Sequence, residues 1–176
     1  MYILQLNKNQ PAMIIIVFGL PGSGKSYFAG HLRKEINAVL FNTDMIRDEI
    51  DQKGKYEERT KQLVYKEMLR KTLENLKNGS DIIVDGTFHK RDRRKEFISA
   101  AIKNKTELRL IEIRASEHTI KKRLVQKREY SEADYSVYLK LKAEFEEEYS
   151  YHLVLWSDSL PIEDMIIKAK SYISGN

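Results

Sequence analysis

Residues Gly19 to Ser26 read Gly-Leu-Pro-Gly-Ser-Gly-Lys-Ser and follow directly on the apolar run Met13-Ile14-Ile15-Ile16-Val17-Phe18. Glycines at this spacing let backbone N–H groups turn inward around phosphate oxygens. Lys25 can then reach the β and γ phosphates, and the Ser26 hydroxyl can take a place on Mg²⁺. Gly19, Leu20, Pro21, Gly22, Ser23, Gly24, Lys25 and Ser26 thus form a phosphate-binding P-loop pattern in the strand-loop-helix setting that its chemistry requires. A turn that only joins a strand to a helix needs neither the lysine nor the serine. The pattern implies a bound nucleoside triphosphate with Mg²⁺. It leaves open whether the γ-phosphate passes to water, drives a partner-coupled switch or goes to an acceptor.

Two carboxylates stand where they could take part. Asp44 opens a helical stretch and Arg47 follows three residues later, on the same face. A carboxylate there can accept the proton of an attacking hydroxyl, while the arginine can clamp an anionic group of the acceptor. The alternative is a helix cap with a surface partner. Asp85 follows the apolar Ile82-Ile83-Val84, the place from which a carboxylate can orient the hydration shell of Mg²⁺; an Asp-Gly turn is the plainer reading. Gly86 comes next, where hydrolytic motor ATPases commonly carry a water-activating glutamate, which argues against hydrolysis as the purpose. No guanine-reading motif is evident, so ATP is preferred over GTP. The cationic run Lys121-Lys122-Arg123 to Lys127-Arg128 can supply positive charge to a migrating phosphoryl group from a lid at about residues 121–135. The plainer reading is a solvated basic face or cations placed favourably at a helix C-terminus.

The elements that must position these groups alternate along the chain. Strands are expected at 13–18, 38–41, 81–84, 108–113 and 152–156. Helices are expected at 26–36, 44–50, 57–76, 91–102, from 116 to about 128, 135–149 and 161–173, from apolar spacing and the start and stop signals around them. In the helix at 57–76, Leu63, Val64, Met68, Leu69, Leu73 and Leu76 read as the buried stripe. Strands separated by helices imply an α/β protein with a parallel sheet, right-handed crossovers and helices on both faces. In such a sheet ligands bind outside the carboxyl ends of the strands, which is where the P-loop, Asp44, Asp85 and Ser157-Asp158-Ser159 fall. Residues 13–176 read as a single domain; residues 1–12 form a tail or an edge strand through Tyr2-Ile3-Leu4.

Composition bounds the partners. The formal charge of +5 comes from 31 Lys and Arg against 26 Asp and Glu, interspersed, which points only weakly to nucleic acid. The basic helix with Arg91, Arg93, Arg94 and Lys95 can track a strand or be a solvated face. The absence of cysteine excludes a disulfide framework, thiolate chemistry and a Cys-ligated metal. Nothing approaches a membrane-spanning length, and the reading is of a soluble cytoplasmic protein.

The P-loop, Asp44 with Arg47, Val84-Asp85-Gly86-Thr87 with Arg94, Lys122-Arg123 with Lys127-Arg128, and Ser131-Glu132-Ala133-Asp134-Tyr135 with Tyr138 and Phe145 together resemble the polynucleotide-kinase-like group of P-loop kinases, relatives of zeta toxins and chloramphenicol phosphotransferase. The resemblance implies the three-layer P-loop NTPase fold, a five-stranded sheet of order 2-3-1-4-5 and an arginine-bearing lid. It implies an ATP-dependent kinase with Asp44 as general base and with Arg47, Thr87 and Arg94 on the acceptor side. Arg123 or Arg128 would be the transition-state arginine, Ser26 and Asp85 would hold Mg²⁺, and Ser157 would lie near adenine. The acceptor carries a hydroxyl, on a nucleic acid end or on a small molecule. Phe88 departs from the small polar residue common there and puts the acceptor pocket in question. The alternative function is a nucleotide-dependent ATPase or switch acting through a partner.

Overall fold

The computed structural model describes residues 12–125 and 135–175. Its chain order is β1 (Ile14–Phe18), α1 (Lys25–Ile36), β2 (Val39–Asn42), α2 (Thr43–Glu49), α3 (Glu58–Lys77), β3 (Ile82–Asp85), α4 (Arg91–Lys103), β4 (Leu108–Arg114), α5 (Glu117–Val125), α6 (Tyr135–Ala143), β5 (Leu153–Trp156) and α7 (Ile162–Ser174). The five strands form one sheet in the order β2-β3-β1-β4-β5. Every pairing is parallel, with Ile16 opposite Val84 on one side of β1 and opposite Leu110 on the other. This is the P-loop NTPase fold.

The continuous apolar run of β1 is explained by burial on both faces. Ile15 and Val17 face a core built with Phe28 and Leu32 of α1 and Met165 and Ala169 of α7. Ile14, Ile16 and Phe18 face a second core, built with Ile46 of α2, Val64 and Met68 of α3, and Phe97 and Ala101 of α4. Alternation along the strand thus gives each face its own packing, and the strand ends project their loops beyond both.

Two details differ from the sequence expectation. Along α3 the buried positions are Thr60, Val64, Tyr65, Met68 and Thr72, while Leu63 is exposed. The helix is therefore rotated toward Tyr65, whose hydroxyl accepts the Phe88 N–H at 3.1 Å. The helix expected to run to Tyr149 ends at Ala143. Beyond it the backbone is held elsewhere: Glu146 donates its N–H to the His89 carbonyl at 2.8 Å, and its own carbonyl accepts from Arg94 at 2.6 Å. Phe145 stacks on Phe18 with ring centroids 6.4 Å apart. These tertiary bonds replace the helical ones that an apolar periodicity alone would predict. The expected tail or edge strand and most of the expected lid lie outside the described residues.

Candidate active site

The loop from Gly19 to Gly24 leaves β1 and ends in the first turn of α1, where unpaired N–H groups and the helix dipole favour an anion. Its glycines are a steric requirement. A Cβ at Gly19 would stand 2.3 Å from the Ile113 carbonyl oxygen, and Gly24 caps α1 at φ 94°, a left-handed conformation. The loop is braced from outside: Ser157 donates from Oγ to the Ser23 carbonyl at 2.5 Å, and the Arg123 guanidinium bonds the Gly22 and Ser23 carbonyls at 3.2 Å and Ser157 Oγ at 2.8 Å.

Asp85 closes β3 beneath this loop with no exposed surface. Asn42, at the end of the neighbouring β2, donates from Nδ2 to Asp85 Oδ2 at 2.5 Å and lies 3.4 Å from Ser26 Oγ. Asp85 Oδ1 is buried without a hydrogen-bond partner among the described residues. Burial pushes the carboxyl above its ordinary range, against the pull of Lys25 and the hydrogen bonds of Ser26 and Asn42. An orphaned, buried carboxylate oxygen beside a serine hydroxyl suits a divalent cation, which would satisfy the oxygen and lower the burial penalty together. Ser26 and Asp85 therefore fit Mg²⁺.

Asn42 has a second duty. Its Oδ1 accepts the N–H of Asp44 at 2.8 Å and so caps α2. Asp44 is not the cap, and its carboxylate is left to face the cavity. Arg47, almost fully buried, donates from NH1 to Asp44 Oδ1 at 2.6 Å and from Nε to the Lys55 carbonyl at 3.1 Å; its guanidinium lies 4.5 Å from the Tyr56 ring centre. The cavity, about 250 Å³, is lined by Pro21, Lys25 and Ser26 and by Asn42, Thr43, Asp44, Arg47, Tyr56 and Thr87. Lys61 and Tyr65 of α3, His89, and Val137 and Lys140 of α6 complete the wall. Burial and the charge of Lys61 push the His89 imidazole down to about 4; burial pushes the Tyr65 phenol up to about 12. Near neutral pH both present uncharged polar groups.

The structure brings together the loop, Asp44, Arg47, Thr87 and Asp85, and it places other expected residues differently. Arg94 lies outside the cavity, fully buried. Its guanidinium bonds the Phe88 carbonyl, the Glu146 carbonyl and, at 2.8 Å, the Glu148 carboxylate, and it lies 5.2 Å from the Phe18 ring centre. Arg123 sits on the loop carbonyls and also lines, with Tyr27, Phe28, Ser157, Leu160 and Met165, a second cavity of about 300 Å³ beside Gly24. Arg128 lies outside the described residues. Phe88 points into the core, against Tyr65 and Phe97, at φ 44°. Its strained backbone turns Thr87 and His89 to the cavity, so the unusual residue supports the pocket without lining it. Gly86 also has a steric reason, since a Cβ there would stand 2.8 Å from Thr43 Cγ2. Of the residues that sequence reasoning missed, Lys61 and Tyr65 share a helix face at i, i+4. Lys140 is delivered by the docking of α6, for which no local signal exists.

Solved structures with this fold include small kinases. The chain is similar to a sugar kinase from Janibacter sp., in unliganded form, at 18% identity and TM-score 0.73, covering 93% of this chain and 95% of that one. It is similar to the APS kinase of Mycobacterium tuberculosis in complex with AMPPNP and APS, at 11% identity and TM-score 0.75, covering 93% and 98%. A gluconokinase from Sinorhizobium meliloti aligns at 16% identity and TM-score 0.66, covering 90% and 89%. At these identities the likeness is one of fold. The AAA domain family, in contrast, matches the sequence itself over residues 14–148, from β1 through the loop, Asp44, Asp85 and α6, and the chain belongs to that family.

Proposed function

We propose that the protein is an ATP- and Mg²⁺-dependent kinase that transfers the γ-phosphoryl group to a hydroxyl of a small acceptor. The observation that carries this reading is that one cavity is lined both by Lys25 and Ser26 of the loop and by the Asp44–Arg47 pair. Arg47 holds Asp44 Oδ1, which leaves Oδ2 to take the acceptor proton as the new oxygen–phosphorus bond forms and the bond to ADP breaks. Lys25 and the loop N–H groups bind the β and γ phosphates. Magnesium, held by Ser26 and Asp85, would neutralise charge on those phosphates when bound. Ser157 and the apolar walls of the second cavity receive the base. Arg123 braces the loop, since reaching the γ-phosphate would break its bonds to Gly22 and Ser23. The similar sugar kinase, APS kinase and gluconokinase structures fit a small acceptor.

A small acceptor is favoured over a nucleic acid strand by the state of the basic helix. Arg93 pairs with Glu58 at 2.8 Å and Glu96 at 3.1 Å, Arg94 is buried, and Lys95 lies 3.6 Å from Asp92. Of the four cations only the Arg91 guanidinium, 4.6 Å from the Tyr149 ring centre, lacks a carboxylate within 4.0 Å among the described residues, which leaves little unmatched charge to track phosphates. The test is transfer from labelled ATP to nucleosides, sugars, aminoglycosides and 5′-hydroxyl oligonucleotides. Asp44→Asn should leave ATP affinity nearly intact and lower transfer by about two to four powers of ten. Equal turnover in that variant would sink the assignment of Asp44. Steady hydrolysis with no labelled product across the panel would instead favour a switch.

A further inference from the structure

Resting on the kinase reading, we infer that the acceptor is an anionic polyol, whose carboxylate or phosphate ester is bound by Lys61 and Lys140. Four cationic side chains line the acceptor cavity, namely Lys25, Arg47, Lys61 and Lys140, against the single carboxylate of Asp44. A bound triphosphate takes up Lys25. Arg47 and Asp44, 2.6 Å apart, offset each other. Lys61 and Lys140 remain, and no described carboxylate lies within 4.0 Å of either ammonium.

Two lysines on the same helices meet acids instead. Lys142, two residues further along α6, is 2.6 Å from Glu117, and Lys71, further along α3, pairs with Glu49. Those two cations meet acids on the protein surface, whereas Lys61 and Lys140 line the pocket from two separate elements. Two positive charges facing one small cavity, with no carboxylate partner among the described residues, repel each other, and an anion between them removes that repulsion.

The remaining polar groups suit hydroxyls. His89 is held uncharged, although Glu144 Oε2 stands 3.7 Å from its Nε2 and pulls the other way. It offers one donor and one acceptor. Tyr65 takes the Phe88 N–H on its oxygen and keeps its O–H to donate. A cavity of about 250 Å³ lies below the range of about 300–1,000 Å³ usual for drug-sized ligands, which fits a metabolite-sized acceptor.

The test uses the full chain, labelled ATP and Mg²⁺ with matched acceptors: glycerol, glycerate and glycerol 3-phosphate; glucose, gluconate and glucose 6-phosphate. The charged members should exceed their neutral partner in kcat/KM by about tenfold or more, and the two anions are separated by which of them does so. Lys61→Met with Lys140→Met should raise KM for the charged acceptor by about the same factor while KM for ATP holds. Equal use of neutral and charged acceptors, or unaltered KM in the double variant, overturns the inference. A second measurement does not need turnover. With AMPPNP and Mg²⁺ filling the phosphate loop, inorganic sulfate should shift the His89 ring resonances of the wild type and not of the double variant. If no acceptor is phosphorylated yet sulfate shifts His89, the anion site stands and the kinase reading falls. If sulfate leaves His89 unmoved in the wild type, the anion site falls whatever the turnover shows.

Discussion

Asp85 is an ionisable group kept out of water with one oxygen unpartnered among the described residues, and this gives its substitution a definite sign. Its folded pKa is raised, so above the ordinary aspartate range the unfolded chain has lost a proton that the folded chain holds. Stability falls as pH rises through that window, and the deficit persists at neutral pH. Asp85→Asn keeps an acceptor for the Asn42 amide and removes the buried charge. The apo variant should therefore melt no lower than the wild type, while the Mg²⁺-dependent part of the stabilisation by ATP is lost; melting curves with and without EDTA check both. His89 runs the opposite way. It is depressed to about 4 from about 6.5, so between those values the unfolded chain binds more protons and stability falls on acidification. Lys61 and Lys90 push in this direction, and Glu144 and Glu58 oppose it. His89→Asn should flatten the wild-type loss of melting temperature between about pH 6.5 and 4, and parallel curves would contradict the assignment.

The segment 144–152 matters most at the scale of elements, because the start of α4 is tied to it: Arg91 donates its N–H to Glu146 Oε2 at 2.7 Å, and buried Arg94 bonds the Glu146 carbonyl and the Glu148 carboxylate. Arg94→Met would leave Glu148 and two carbonyls without their buried donor. It should destabilise the fold by about 3–5 kcal/mol, as breaking a buried pair does, measured by urea unfolding. A loss below about 1 kcal/mol would mean that the pair is not buried in solution. This segment also marks where the sequence stopped being informative. The strands, the loop and α1 through α4 could be read from it because their signals are local: apolar runs, glycines, and the Asn78-Gly79 stop. The end of α6 could not, because it is decided by Arg94 and His89, some 50 residues away. Arg94, expected on the acceptor side, reads in the sequence as a cation of a basic run, and its burial outside the cavity carries no local signal. Asp44 and Asp85 were legible because sheet geometry places strand ends together; Lys61, His89 and Lys140 were not, because their meeting depends on how helices dock.

Across the whole molecule the sheet separates two packings. Met165 belongs to the core on the α1 and α7 side and lines the cavity beside Gly24; Ile46 belongs to the core of α2 to α4, behind the Asp44 cavity. Met165→Ala should cost about 2–5 kcal/mol and Ile46→Val about 0.5–1.5 kcal/mol. In the double variant the two losses should add to within about 0.5 kcal/mol, as for sites without shared partners. In kinetics, the first should act mainly on KM for ATP and the second on KM for the acceptor. A coupling well above that limit would show that strain crosses β1.

The same partition bears on how such a protein can change over time. Substitutions that reshape the α3 and α6 wall around an acceptor need not disturb the packing behind the nucleotide. On the proposed kinase reading a lineage can then try new acceptors while its phosphate donor stays fixed, and a protein engineer can randomise Lys61, His89 and Lys140 together without first rebuilding the loop at Gly19 to Ser26.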